Sequence, residues 1–331
     1  MSRADDDLAA ALTAGHRAAL GRAITLVESH RLAHRDRARA LLSALLPRTG
    51  GAHRIGLTGP PGAGKSTTIE ALGLSLTAQG LKVAVLAIDP SSQATRGSIL
   101  GDKTRMGALA VDPHAFIRPS PSSGALGGAG AKTRETILLC EAAGYEVVIV
   151  ETVGVGQSET LVADMTDTFV TLMQPGAGDE LQGLKKGLLE RADIIAVNKA
   201  DGALKAAAER TARDHKAALK ILSARSDGWV PSVTVLSALT GSGVAELWAA
   251  IDQHRRFGDR TGAFEKRRAG QNAQWFDALI SEGIGEMITS ASELIEERER
   301  LRAAVARGEE PARVAAETWL NAFGTRFYGR P

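Results

Sequence analysis

The sequence predicts an α/β fold: a doubly wound, mostly parallel sheet with helical additions at both ends. Three observations predict it. Between residues 53 and 257, short Val- and Ile-rich runs alternate with helical stretches. Those runs lack polar alternation, so they read as strands buried on both faces, as a parallel sheet covered by helices requires. The chain also has 331 residues, 44% of them hydrophobic, enough for one large domain with additions or for two modules.

Taken in order, residues 1–52 read as an N-terminal helical extension. Leu12, Leu20, Ile24, Val27, Leu41, Leu42, Leu45 and Leu46 punctuate an Ala/Arg-rich background that stops at Pro47 and Gly50-Gly51. Residues 53–258 hold the sheet, with strands expected at Arg54–Thr58, Val83–Asp89, Val147–Glu151, Thr168–Met173, Ile194–Asn198 and Val233–Ser237. The Ser/Gly/Ala-rich stretch Ser120–Gly130 reads as a mobile loop. Residues 259–331 carry no strand signal. There Ile280, Met287, Leu294 and Leu301 recur every seven residues, with Ile284, Ala291 and Val305 beside them, predicting one long amphipathic helix that either lies on its own domain or, the sharper reading, forms a C-terminal dimerisation arm. Gly283 and Gly285 weaken that helix by about 1 kcal/mol each relative to Ala.

Composition excludes several functions. Forty Lys+Arg against 38 Asp+Glu leave a formal charge of +2, too balanced for a nucleic-acid or anionic-membrane surface. Cys140 is the single cysteine, so no internal disulfide forms and a reducing compartment is expected. No apolar run is long enough to span a membrane, and the acidic start Asp5-Asp6-Asp7 does not resemble a signal or transit peptide; the expected location is the cytoplasm.

The strongest chemical signal is Gly59-Pro60-Pro61-Gly62-Ala63-Gly64-Lys65-Ser66-Thr67, a G-x-x-x-x-G-K-[ST] phosphate loop between a strand and a helix. Its glycines let successive amides turn toward phosphate oxygens, and the helix adds its positive end. Lys65 is placed to bridge β- and γ-phosphates, and Ser66 to offer a hydroxyl to Mg²⁺. Asn198-Lys199-Ala200-Asp201 follows a later strand and reads guanine: a carboxylate at Asp201 accepts from the ring imino and exocyclic amino groups, which adenine does not present. Ser237-Ala238-Leu239 fits a supporting guanine loop. Glu151-Thr152-Val153-Gly154 ends a strand where D-x-x-G is usual, with Glu151 on the metal side and the Gly154 amide toward the γ-phosphate. Asp89 and Asp102 are the other candidate metal carboxylates, although either could instead be a turn or capping residue. GTP or GDP with Mg²⁺ is the expected cofactor set.

The set G-P-P-G-A-G-K-S-T, I-D-P-S-S, G-D-K-T-R-M, E-T-V-G-V-G-Q-S-E and N-K-A-D resembles the P-loop GTPases of the SIMIBI class that carry glutamate in the third guanine-nucleotide motif, and among them the MeaB/ArgK type. The resemblance implies a homodimer that chaperones adenosylcobalamin-dependent methylmalonyl-CoA mutase, gating cofactor loading and protecting or reactivating the enzyme. It further implies that Gln174–Gly187, containing Lys185, is an additional switch toward the client. Three alternatives stand beside it. A metal-delivery GTPase is disfavoured because the seven histidines stand singly. A small-molecule kinase has little use for a guanine reader. A decayed binding module does not fit intact Lys65, Ser66 and Glu151.

Where many GTPases orient the attacking water with glutamine, this chain has Val155, which cannot hydrogen-bond through its side chain. Intrinsic hydrolysis is therefore expected to be slow, with Arg105 and Lys185 as cations supplied when a partner orders the switches. Phosphate-release assays should show the mutase accelerating the wild type but not Lys185→Ala, whose nucleotide affinity stays unchanged; equal stimulation of both rejects the role of that loop.

Overall fold

Buried apolar runs form the centre of the molecule as expected, with one addition. In the computed structural model, which describes residues 3–29, 31–89, 106–121, 126–152, 158–176, 190–221 and 227–328, seven strands are found. They are β1 (His53–Thr58), β2 (Val83–Asp89), β3 (Ala115–Pro121), β4 (Val147–Thr152), β5 (Thr168–Met173), β6 (Ile194–Val197) and β7 (Ser232–Val235). All pair in parallel, in the order β3-β2-β4-β1-β5-β6-β7. The unforeseen member is β3, whose Pro119 and Pro121 break a strand signal. It is an edge strand, the position in a sheet where a missing N–H is tolerated.

The helices are α1 (Arg3–Thr13), α2 (Arg17–Glu28), α3 (Leu32–Leu45), α4 (Lys65–Thr77), α5 (Gly107–Val111), α6 (Leu126–Ala142), α7 (Ser158–Ala163), α8 (Lys205–Ile221), α9 (Val244–Thr261), α10 (Ala263–Ser290), α11 (Ser292–Ala306) and α12 (Ala312–Tyr328). Side chains alternate across the sheet and fix the layers. Ala84, Leu86, Ile88, Val148 and Val150 turn to one face, under Leu12, Leu20, Ile24 and Leu41 of the N-terminal helices and Ile137 of α6. Val83, Val85, Ile117, Ile149, Val170 and Leu172 turn to the other, under Leu72 and Leu76 of α4 and Leu247 and Ile251 of α9. The stretch read as a mobile loop from Ser120 to Gly130 instead closes β3 and opens α6; residues 122–125 between them are outside the described set.

The chain divides into two compact units, residues 1–271 and 272–331. Within the second, the expected single long helix does not exist. α10 ends at Ser290, Ala291 is extended (φ −104°, ψ 102°), and α11 restarts at Ser292. Ser292 opens α11, and serine is a weaker helix former than alanine or leucine. The break at Ala291 splits the heptad. Leu294 and Leu301 are buried with α12, where Trp319 Nε1 donates to the Leu294 carbonyl at 2.9 Å, whereas Ile280 and Ile284 stay exposed.

In the first unit, the starts of β1, β5 and β6 rest on a buried ionic base. Arg268 donates from Nε and Nη2 to the two Asp167 oxygens at 2.6 Å, and to the Gly50 and Ala52 carbonyls. Arg267 bridges Asp193 and Asp227, each at 3.1 Å. Burial alone would raise the Asp167 carboxyl, but its bonds to Arg268 hold it below the usual range. Beside it, His53 Nε2 shares a hydrogen bond with Thr168 Oγ1 (2.7 Å), which also meets His254 Nδ1 (2.8 Å). Burial pushes the His53 pKa down to about 3, against the pull of Asp167 and with help from Arg255, His254 and Arg268.

A histidine depressed in the folded state contributes stability that is complete above its unfolded pKa of about 6.5 and is lost as pH falls toward the folded value. At pH 5 that loss is about 2 kcal/mol. Urea denaturation should accordingly show wild-type stability falling more than that of His53→Gln between pH 7 and pH 5. Parallel losses in the two proteins would remove His53 as the cause.

Candidate functional site

The carboxyl ends of β1, β4, β5 and β6 form a crevice at the point where strand order reverses, the usual ligand position in open α/β sheets. The phosphate loop leaves β1 here and enters α4. Gly59 (φ 152°), Gly62 (φ 78°) and Gly64 (φ 89°) all take the left-handed half of backbone space. Two of them also have no room for a side chain: a Cβ on Gly59 would lie 2.4 Å from the Leu172 carbonyl oxygen, and one on Gly64 would lie 2.5 Å from Asn198 Nδ2. Pro60, Pro61 and Ala63 complete the turn, with Ala63 buried.

Lys65 opens α4, and its Nζ donates to the Gly59 and Pro60 carbonyls at 2.7 and 3.3 Å, curling over the loop it is expected to serve. Burial lowers its pKa below that of an ordinary lysine, while Glu151 and Glu159 act in the opposite direction. Next to it, Ser66 Oγ donates to Glu151 Oε1 at 3.1 Å. The structure thus brings together the hydroxyl and carboxylate read from the sequence as metal-side ligands. Glu151 is buried at the end of β4. Thr67 follows in the first turn with an exposed side chain.

Asn198 connects this loop to the guanine motif. Its buried amide donates from Nδ2 to the Ala63 carbonyl at 2.8 Å and accepts at Oδ1 from the Ala238 N–H at 3.0 Å. Lys199 follows with φ 60°, the one non-glycine residue with positive φ among those described, so the loop holds a strained turn. Asp201 then accepts from Ser237 Oγ at 2.7 Å, and Ser237 Oγ also receives the Thr240 N–H. One carboxylate oxygen is therefore oriented by the Ser237-Ala238-Leu239 loop; Leu239 itself is 79% exposed.

Some expected residues lie outside the described set: Asp102, Arg105, Gly154, Val155 and Lys185. For Asp89 only the backbone, at the end of β2, is described. Reading the sequence missed a threonine pair behind the phosphate loop. Thr58 and Thr152, ending β1 and β4, share a hydrogen bond of 2.9 Å between fully buried hydroxyls. Only their place at the last residue of two strands that precede motifs could have signalled it.

Comparisons with known proteins agree with this geometry. The family described as methylmalonyl-CoA mutase-associated GTPase MeaB matches residues 20–293. The chain is 52% identical to GTPase ArgK of Escherichia coli (strain K12), with 82% of each protein covered. It is 44% identical to the mitochondrial methylmalonic aciduria type A homolog of Mus musculus, over 97% of this chain and 80% of that one. Among solved structures, an LAO/AO transport system kinase is similar with a TM-score of 0.77 and 38% identity, covering 96% of this chain and 97% of the other.

The Asp201 geometry generates a specificity test. Asp201→Asn puts an amide donor where guanine needs an acceptor, costing about 1–3 kcal/mol. It should weaken GDP binding roughly 10- to 100-fold and favour xanthosine diphosphate, whose ring has a carbonyl at the position of the amine. Calorimetric titration with both nucleotides checks this; unchanged GDP affinity would remove Asp201 from the base.

Proposed function

We propose, for a chain that belongs to the methylmalonyl-CoA mutase-associated GTPase MeaB family and is a GTP hydrolase, a role as a nucleotide-driven chaperone of adenosylcobalamin-dependent methylmalonyl-CoA mutase. It binds the mutase, gates loading of its cofactor, and protects or reactivates the enzyme. The observation that carries this reading is the family match itself. It runs from the N-terminal helices, through the nucleotide loops, and into α11.

The chain's residues divide the work by position. Residues 53–258 bind and hydrolyse the nucleotide, residues 1–52 are the helical extension, and residues 259–331 are the dimerisation arm. Asp201, oriented by Ser237, reads the base; Lys65 neutralises β- and γ-phosphate oxygens. The hard oxygen donors Ser66 and Glu151, 3.1 Å apart, fit Mg²⁺ and would hold it, with Asp89 and Asp102 as further carboxylates. When bound, the ion supplies positive charge to the phosphate oxygens.

The arm reading rests on an exposed apolar stripe. Phe276, Leu279, Ile280 and Ile284 fall at helical spacing on α10 and remain uncovered, Phe276 at 63% and Ile284 at 47%. A second copy of the same helix is the occupant we assign to it, since the stripe is self-complementary in chemistry and a two-fold axis buries both copies at once.

Size-exclusion chromatography with light scattering tests these assignments together. The expected result is a dimer mass for the chain alone and co-elution with the mutase that differs between a slowly hydrolysed GTP analogue and GDP. A monomer alone removes the arm as interface, and absence of any nucleotide-dependent co-elution removes the mutase as client.

A further inference from the structure

Away from the nucleotide crevice, the N-terminal helices enclose a groove of about 850 Å³. Its lining combines the apolar Leu8 and Leu26 with Arg22 from α2 and Arg31, His34 and Arg37 at and beyond the start of α3, against the carboxylates Asp7 and Glu28. The volume lies in the range of small-molecule sites.

Several features bear on the sign of this groove. Arg37 is fixed in place, because its Nε and Nη2 both donate to Asp5 Oδ1, at 2.9 and 2.8 Å, and Asp5 is buried. His34 is likewise oriented through Nδ1, which lies 2.8 Å from Ser29 Oγ, leaving Nε2 for another partner. Arg22 and Arg31, by contrast, have no carboxylate partner among the described residues. On the acidic side, Glu28 gives Oε2 to Arg118 of β3 while its buried Oε1 has no partner among the described residues, so Glu28 and Asp7 are the two carboxylates of the lining that oppose Arg22 and Arg31. The start of α3 adds to this field: no side chain caps it, and its first turn carries no acidic residue. An uncapped helix start and several guanidinium groups around one concavity favour a ligand with two or more anionic oxygens.

We propose that this groove is a second ligand site, separate from the GTP site, for a small organic anion whose phosphate or carboxylate oxygens meet Arg22, Arg31 and the start of α3 while its carbon body rests on Leu8 and Leu26. The two guanidinium groups supply planar donor pairs that match either oxyanion. Binding there ties α1, α2 and α3 together, and through the Glu28–Arg118 pair it engages the sheet edge.

The test uses the full chain saturated with GDP and Mg²⁺, so that the phosphate loop is filled, and titrates it calorimetrically with inorganic pyrophosphate in one arm and glutarate in the other. At least one should bind, and the double variant Arg22→Gln/Arg31→Gln should lose tenfold or more of that affinity with GDP binding and Tm unchanged. Binding of pyrophosphate alone assigns a phosphate ligand, and binding of glutarate alone a carboxylate. Should the double variant fold poorly, Thr25→Glu, which places a negative charge in the groove wall, is expected to give the same loss. No binding of either probe, or binding that survives in the folded variants, overturns the proposal.

Discussion

One buried amide holds the nucleotide site together. Asn198 reaches back to the carbonyl of Ala63 and forward to the N–H of Ala238, so the phosphate loop, the guanine motif and the final supporting loop share a single anchor. Each bond satisfies a backbone group that would otherwise be buried without a partner, which makes the amide costly to replace by anything of different hydrogen-bonding pattern. The requirement also extends outward. Gly64 has no room for a side chain because Asn198 occupies the space, and the left-handed turn at Lys199 continues directly from it. A polar contact of ordinary strength thus fixes the distance between the turn at Ala63 and the loop at Ala238.

The sheet provides that anchor with a rigid support. β1, β5 and β6 run from the ionic base formed by Asp167, Asp193, Arg267 and Arg268 to the crevice above, and all their side chains but the half-buried Arg54 are buried. Buried ion pairs of this kind add little net stability when intact, but losing one partner leaves an uncompensated charge and costs about 3–5 kcal/mol. The strands are thereby pinned at one pole, and the loops at the other pole carry the chemistry. Between them Thr58 and Thr152 join the strand that leads into the phosphate-loop motif to the strand bearing Glu151.

Much of this was legible in the sequence, and the reasons differ by element. Six strands announce themselves because burial on both faces demands uninterrupted Val, Ile and Leu, the phosphate motif because few backbones other than a glycine-rich turn suit its task, and the guanine motif because a carboxylate in N-K-x-D spacing follows a buried strand. β3 was hidden because its two prolines argue against a strand until its edge position is known. The ionic base was hidden because Asp167, Asp193, Arg267 and Arg268 are unremarkable charges in sequence, made partners only by folding. The heptad in the C-terminal region gave the right apolar positions but the wrong continuity. Side-chain periodicity reports which faces are apolar, whereas the break lies in the backbone, where Ala291 is extended between the two helices.

The prolines of β3 have one more consequence. A sheet rim normally offers a ladder of free amides on which a foreign strand can grow, and here one rim is interrupted at Pro119 and Pro121 while the other, β7, is four residues long and preceded by Pro231. Neither margin is a good template for accretion. Both rims of the parallel sheet therefore disfavour the addition of an extended chain.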